Sequence, residues 1–101
     1  MPPSSKLEKY IVNDIKKALT EKGAWVTKTH GSLHSAGLPD IIACYQGRFI
    51  GIEVKRPETR GTVTARQQAF LDQIAAAGGV SGVAVSVDEA LAILSQVDDP
   101  S

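Results

Sequence analysis

Two acidic residues and a lysine stand at the ends of two short apolar segments of the chain. Asp40 opens the strand-like segment from Asp40 to Tyr45, and Glu53 and Lys55 close the next one, from Arg48 to Lys55. Carboxylates are ligands that hard divalent cations such as Mg²⁺ prefer, and an ammonium group stabilises charge that develops on a phosphate. The pattern therefore favours a metal-dependent nuclease.

The dipeptide Gln46-Gly47 separates the two segments and predicts a two-residue hairpin turn. In that register Asp40 lies directly opposite Glu53, and the alternation of side chains puts Glu53 and Lys55 on the same face. Two carboxylates in opposite positions repel each other and destabilise a sheet. Their pairing makes physical sense if a cation lies between them.

The expected ion is Mg²⁺ or Mn²⁺, held by the Asp40 and Glu53 carboxylates with the Val54 carbonyl as a further ligand. It would lower the pKa of a bound water and neutralise charge on the phosphoryl group. Lys55 would hold the attacking water or stabilise the transition state. Each residue also has a plain structural alternative, since Asp40 after a proline suits a turn, and Glu53 with Lys55 could form a solvated pair.

The periodicity of apolar residues predicts the element order α-β-β-β-α-β-α in an α/β domain. The predicted elements are a helix from Ser5 to Gly23, a strand from Ala24 to His30, the hairpin, a polar loop from Arg56 to Val63, a helix from Thr64 to Ala77, a strand from Val80 to Val85 and a helix from Asp88 to Val97. This order suggests a mixed central sheet flanked by helices. Both hairpin faces are mostly apolar, so we expect helices to cover both, with Gly51 allowing a close approach.

The 101 residues predict one domain, with tails at 1–4 and 98–101. Apolar residues are 43% of the chain and charged residues 22%, which is typical of a globular protein and excludes a disordered one. No apolar run is long enough to cross a membrane, and the N-terminal residues lead into charged ones rather than a signal core. Cys44 is the single cysteine, so no internal disulfide forms and a reducing cytoplasm is expected.

The formal net charge is zero, which alone argues mildly against a nucleic-acid partner. However, the segment from Arg48 to Arg66 holds five basic residues and two acidic ones and would face the site. We interpret Arg56, Arg60 and Arg66 as phosphate contacts that position DNA, with a solvated loop as the alternative. His34 could also contact phosphate, or be an exposed loop histidine.

Three motifs follow one another in the chain: Gly37-Leu38-Pro39-Asp40, then Ile52-Glu53-Val54-Lys55-Arg56-Pro57, then Thr64-Ala65-Arg66-Gln67. Together they resemble the PD-(D/E)XK nuclease superfamily, and within it the compact VRR-Nuc (virus-type replication-repair nuclease) domain. The resemblance covers nearly the whole chain and implies the restriction-endonuclease-like αβββαβ core.

The resemblance implies cleavage of DNA phosphodiester bonds with a divalent metal in a bacterial or phage-encoded protein. Asp40 and Glu53 match the metal-binding acids, Lys55 the catalytic lysine, Gln67 a helix glutamine that supports the site, and Glu8 an acid that often completes the metal shell. Gln67 with Thr64, and Glu8 with Ser5, also fit capping boxes, and that local role would suffice. Small stand-alone members look like junction-resolving enzymes.

We therefore expect a structure-selective DNA endonuclease of the Holliday-junction-resolving type that acts as a homodimer, because a two-fold symmetric junction needs two cuts. The dimer interface is expected on apolar surface of the sheet edge or the first helix. Flap and simple duplex DNA stay open as substrates. The alternatives from other classes are a catalytically silent nucleic-acid-binding module of the same fold and a protein-interaction domain.

Overall fold

A computed structural model describes residues 4–29 and 37–98 of the chain. Its elements are helix α1 (Ser4–Glu21), strands β1 (Trp25–Lys28), β2 (Ile41–Tyr45) and β3 (Arg48–Val54), a 3₁₀ helix (Pro57–Thr62), helix α2 (Ala65–Ala76), strand β4 (Val80–Ala84) and helix α3 (Val87–Asp98). The predicted order of helices and strands is confirmed. The loop predicted from Arg56 to Val63 contains the 3₁₀ helix, and Ser4 and Asp98, predicted to lie in tails, are helical.

The four strands form one mixed sheet in the order β1-β2-β3-β4. The first three are antiparallel neighbours, whereas β3 and β4 run parallel. A parallel pair needs a crossover connection, and α2 supplies it. The α/β fold with a mixed sheet and flanking helices is thus the one that the sequence predicted.

The hairpin between β2 and β3 has the predicted register. Ile42 pairs with Gly51 and Tyr45 with Arg48. Gln46 and Gly47 have φ angles of 51° and 79°, so both turn residues adopt the left-handed conformation that a two-residue turn of type I′ requires. The turn thereby fixes which hairpin side chains share a face.

One face of the sheet carries the main core. Its hairpin side chains alternate inward and pack against α1 and α3, and the fully buried members include Ile15, Leu19, Ile41, Ala43, Ile50, Ile52, Val54, Ala84 and Ala90. Each buried Val, Leu or Ile side chain contributes roughly 1.5–3 kcal/mol relative to its exposed state. This core holds the strands that carry the candidate site.

The opposite face is covered by α2, which packs mainly against β3 and β4. A Cβ atom on Gly51 would lie 2.6 Å from Ile74 Cδ1 of α2 and 3.2 Å from Pro39 Cγ, which is the close approach that the glycine predicted. Nearer the hairpin turn, Trp25 of β1 is 64% exposed and Phe49 of β3 is 47% exposed. The prediction that both hairpin faces are covered is therefore wrong at that end, because α2 packs against β3 and β4 and leaves Trp25 and Cys44 on the neighbouring strands exposed.

Local hydrogen bonds fix where the last two helices begin. Thr64 Oγ1 accepts the Gln67 N–H, and Gln67 Oε1 accepts the Thr64 N–H, both at 3.0 Å, which forms the predicted capping box of α2. Ser86 Oγ accepts the Glu89 N–H at 3.2 Å at the start of α3. Helix α1 begins at Ser4, so Ser5 lies inside it and not at the predicted N-cap position. Within the described ranges, no helix is long and apolar enough to span a membrane.

Candidate metal centre

Glu53 is the acidic side chain around which the candidate site is built. It lies in β3 on the face that α2 covers and is only 3% exposed. Its Oε2 accepts a hydrogen bond of 3.1 Å from Gln67 Nε2 and lies 3.8 Å from Lys55 Nζ. Its Oε1 is buried and has no hydrogen-bond partner, the one such side-chain atom in the part of the chain that the structure describes. An unpaired buried carboxylate oxygen costs free energy, so an ionised Glu53 needs a partner for this atom.

Asp40 stands just before β2, and three contacts hold it there. Its Oδ2 accepts the Val54 N–H at 2.8 Å, and its carbonyl accepts the Thr29 N–H at 2.9 Å. The Thr29 hydroxyl donates to the Pro39 carbonyl at 2.7 Å. Asp40 thus connects β1 with β3, which fixes both its backbone and its carboxylate.

The predicted ladder pair between Asp40 and Glu53 does not form. The regular pairing of β2 with β3 ends with Ile41 and Ile52. Beyond this pair, the Val54 N–H donates to the Asp40 carboxylate, so it does not continue the main-chain hydrogen bonding between the two strands. The two carboxyl groups nevertheless lie close together. Their proximity follows from the hydrogen bond between the Asp40 and Glu53 side chains.

The pKa of Glu53 is raised from its ordinary value of 4.5 to about 8, and burial is the largest cause. The negative charge of Asp40 adds to this rise in pKa, as does a hydrogen bond that the protonated Glu53 makes to Asp40, whereas the Lys55 ammonium opposes it. A proton between the two carboxyls therefore satisfies the site up to about pH 8. A cation in the same place would do so when both are ionised.

Lys55 and Gln67 occupy the places that the sequence predicted for them. Lys55 is largely buried, with a side chain 13% exposed, and lies on the Glu53 side of β3. Gln67 fulfils both interpretations at once: Oε1 closes the α2 capping box, and Nε2 donates to Glu53. Because its amide is fixed at both ends, Gln67 orients the Glu53 carboxylate.

Glu8 of α1 faces the same region. Burial raises its pKa, the Asp40 charge raises it further, and Lys55 and Arg56 lower it, so all three charges lie near Glu8. However, within residues 4–29 and 37–98 no three or more His, Cys, Asp or Glu side chains group closely enough to hold a metal ion. Glu8 is therefore an electrostatic neighbour of the pair and not a third member of a carboxylate cluster.

The basic residues predicted to contact phosphate differ in their neighbours and in their distance along the chain from the site. Arg56 follows Lys55 and forms an ion pair of 2.6 Å with Glu58. Arg60 is bound at 2.6 Å by Glu89 of α3, and the stem of Arg66 packs against Gly37. Arg48 lies at the far end of β3, beside the turn, so the expectation that the whole basic segment faces the site is wrong for this residue. His34 lies outside the described residues.

Two positioning groups and one neighbouring basic residue were not predicted from the sequence. Thr29 and the Val54 amide both position Asp40, and Lys28 precedes Thr29 at the edge of the site. The run of polar residues from Thr27 to Thr29, which follows Trp25 and Val26, was the signal available for Lys28 and Thr29. No sequence signal marks a backbone amide, since every residue other than proline has one.

No known family model matches the chain, and a search of curated proteins gives no significant match. A functional interpretation therefore depends on the geometry described above. Its main elements are two adjacent carboxyl groups, a neighbouring ammonium group and an amide that holds one carboxylate in place.

Proposed function

We propose that this chain is a divalent-metal-dependent DNA endonuclease of the PD-(D/E)XK superfamily, of the VRR-Nuc type, that cuts branched DNA such as a Holliday junction. The observation that carries the proposal is the buried Glu53 Oε1, which lacks a partner beside a second carboxylate. Such an arrangement destabilises the metal-free protein and is retained where it serves a function. The order of the three sequence motifs supports the same function.

The available donors fit a hard divalent ion. Asp40 and Glu53 each keep one carboxylate oxygen that no described N–H group occupies, and the Val54 carbonyl is the proposed third ligand. Mg²⁺ commonly binds through one or two carboxylates and fills its remaining positions with water and substrate phosphate oxygens. A third carboxylate is thus not required. When bound, the ion supplies an acidified water and neutralises charge on the phosphoryl group.

The remaining groups hold the two carboxylates in position and stabilise negative charge on the phosphate. Gln67 holds Oε2 of Glu53 and leaves Oε1 without a protein donor. The Val54 N–H holds Oδ2 of Asp40. The Lys55 ammonium, 3.8 Å from Glu53, can donate to a phosphate oxygen or to the attacking water. Its partial burial keeps bulk water away and so strengthens its effect on developing negative charge.

A second candidate function is a catalytically silent nucleic-acid-binding module of the same fold. The absence of a three-carboxylate group among the described residues and the zero net charge favour it. A silent module, however, gains nothing from the burial of Glu53 against Asp40, whereas replacement of such a pair by uncharged groups commonly stabilises a protein. We therefore prefer the enzyme, and place it in a reducing cytoplasm because the single cysteine cannot form an internal disulfide.

The function is tested by incubating the purified chain with four-way junctions, flaps and linear duplexes of matched sequence. We expect Mg²⁺ or Mn²⁺ to be required, EDTA to abolish cleavage, and a four-way junction to be cut fastest. If a flap or duplex is cut fastest, the proposed substrate is wrong but the proposed metal-dependent cleavage stands. Binding of DNA without cleavage under any metal condition would establish the silent module instead.

We propose a homodimer whose interface includes the exposed row formed by Trp25, Cys44 and Phe49 on neighbouring strands. Exposed aromatic side chains on adjacent strands suit an interface between proteins, where aromatic residues are enriched. We expect a dimer at micromolar concentration by analytical ultracentrifugation, and a monomer for Trp25→Glu. The control Tyr10→Glu alters an exposed aromatic of α1 and should leave the dimer intact. A monomeric wild type contradicts the proposal, and dissociation by Tyr10→Glu alone would move the interface to α1.

A further inference from the structure

A cleft of about 310 Å³ opens between α1 and β1, next to the candidate metal centre. Its walls are formed by Lys9, Val12 and Asn13 of α1, by Lys28 and Thr29 at the end of β1, and by Asp40. Because Asp40 belongs to both the cleft and the carboxylate pair, the two sites are continuous. The roles proposed above for the site residues leave this cleft unused.

The cleft has the chemistry of an anion site. Its charged lining residues are two lysines and one aspartate, and the aspartate is assigned to the metal ion. In the described part of the chain, neither Lys9 nor Lys28 takes part in an ion pair. An ammonium group without a carboxylate partner is available to a phosphate.

Lys28 is held in position by a neighbour. Its Nζ donates to Asn13 Oδ1 at 2.9 Å, a contact that joins β1 to α1. With its oxygen occupied, the Asn13 amide can offer its Nδ2 as a further donor. The pair therefore presents an ammonium group and an amide N–H from one fixed arrangement at the cleft.

We propose that this cleft binds a phosphate of the cleaved DNA strand that flanks the scissile one, with Lys28, Lys9 and Asn13 as the ligands. The inference rests on the proposed function for the identity of the ligand. A strand whose scissile phosphate lies at Asp40 and Glu53 carries further phosphates on both sides, and the cleft begins at Asp40. Phosphate contacts of this kind fix the register of a nucleic acid without reading its sequence. The cleft thus sets which bond of the strand reaches the metal centre.

The test compares Lys28→Gln and Lys9→Gln with Lys17→Gln, which removes the same charge from an exposed position of α1 that does not line the cleft. DNA affinity is measured by fluorescence anisotropy in EDTA at several salt concentrations. A lost phosphate contact reduces the slope of log affinity against log salt by about 0.9 on duplex arms. We expect this reduction for the two cleft variants and an unchanged slope for Lys17→Gln.

Cleavage supplies a second readout. Substrates that carry one uncharged methylphosphonate at successive positions around the cut are compared for each protein. We expect one flanking position at which the substitution slows wild type roughly tenfold but leaves Lys28→Gln unaffected, because the contact is already absent. An equal slowing of both proteins at every position, with unchanged salt slopes, overturns the cleft assignment while the nuclease stands. If the cleft variants have reduced salt slopes but the wild-type protein cuts no DNA, the phosphate site in the cleft is supported and the proposed nuclease activity is overturned. Lys9→Gln keeps the test decisive if Lys28→Gln fails to fold, since Lys9 is an exposed helix residue.

Discussion

Glu53→Gln is expected to abolish metal-dependent cleavage and, at the same time, to stabilise the metal-free protein at alkaline pH. The activity falls because the amide cannot replace the carboxylate as a ligand, and a loss of roughly a thousandfold corresponds to the several kcal/mol that a catalytic ion supplies. The stability rises because the variant no longer buries an ionised carboxylate next to Asp40.

The pH dependence of this stability follows from the raised pKa. The unfolded chain releases the Glu53 proton near 4.5, whereas the folded, metal-free protein keeps it up to about 8. Between these values the folded state binds more protons, so the free energy of unfolding of wild type falls as pH rises, by up to about 1.4 kcal/mol per pH unit. The stabilisation that protonated Glu53 contributes is fully present below pH 4.5 and is lost above about pH 8. The variant should lack this component of the pH dependence.

Urea denaturation in EDTA across this pH range measures the effect, with cleavage of the junction assayed in parallel. Glu21→Gln, which removes an exposed carboxylate at the end of α1, is the matched control and should change neither quantity. A Glu53→Gln protein that cuts DNA at the wild-type rate, or that is less stable than wild type at alkaline pH, contradicts the role assigned to Glu53.

Lys55→Met is expected to separate catalysis from metal binding. The methionine retains most of the volume of the partly buried stem but removes the ammonium group, which is not a ligand. Loss of one group that stabilises developing charge slows an enzyme by roughly 10²–10³-fold. Since Lys55 also holds down the pKa of Glu53, its removal should weaken Mn²⁺ binding near neutral pH and leave it close to wild type in alkaline buffer.

Calorimetric titration with Mn²⁺ at two pH values, together with single-turnover cleavage, distinguishes the two effects. Lys22→Met, which changes an exposed lysine after α1, is the control. If alkaline pH restores both Mn²⁺ affinity and the cleavage rate of Lys55→Met, the lysine acts only by tuning Glu53. If Mn²⁺ binding stays lost at alkaline pH, Lys55 contributes to the metal site itself.

The hairpin could be predicted from the sequence because its determinants are local. Two turn residues with left-handed conformations select the register, and the alternation of side chains then assigns each residue to a face. Gly51 correctly indicated a close approach to the sheet. The glycine could not reveal that Ile74 of α2 makes that approach, because the contact depends on how the helix docks.

Contacts between residues that are far apart in the sequence could not be predicted from local sequence patterns. Asp40 was expected to pair with Glu53 across the two strands, but its side chain accepts the Val54 N–H instead. Arg60 pairs with Glu89, which is 29 residues away on another helix. The exposure of Trp25 likewise depends on where α2 docks, because composition alone cannot show which strands a helix covers.

The most direct test of the metal centre is a crystal structure of the wild-type protein soaked in Mn²⁺ in buffer above the pKa of Glu53. We expect an anomalous difference peak between Asp40 and Glu53, in contact with the Glu53 oxygen that otherwise has no partner. A fully occupied Mn²⁺ site elsewhere in a protein that cuts DNA, with no peak between these two carboxylates, would contradict the assignment.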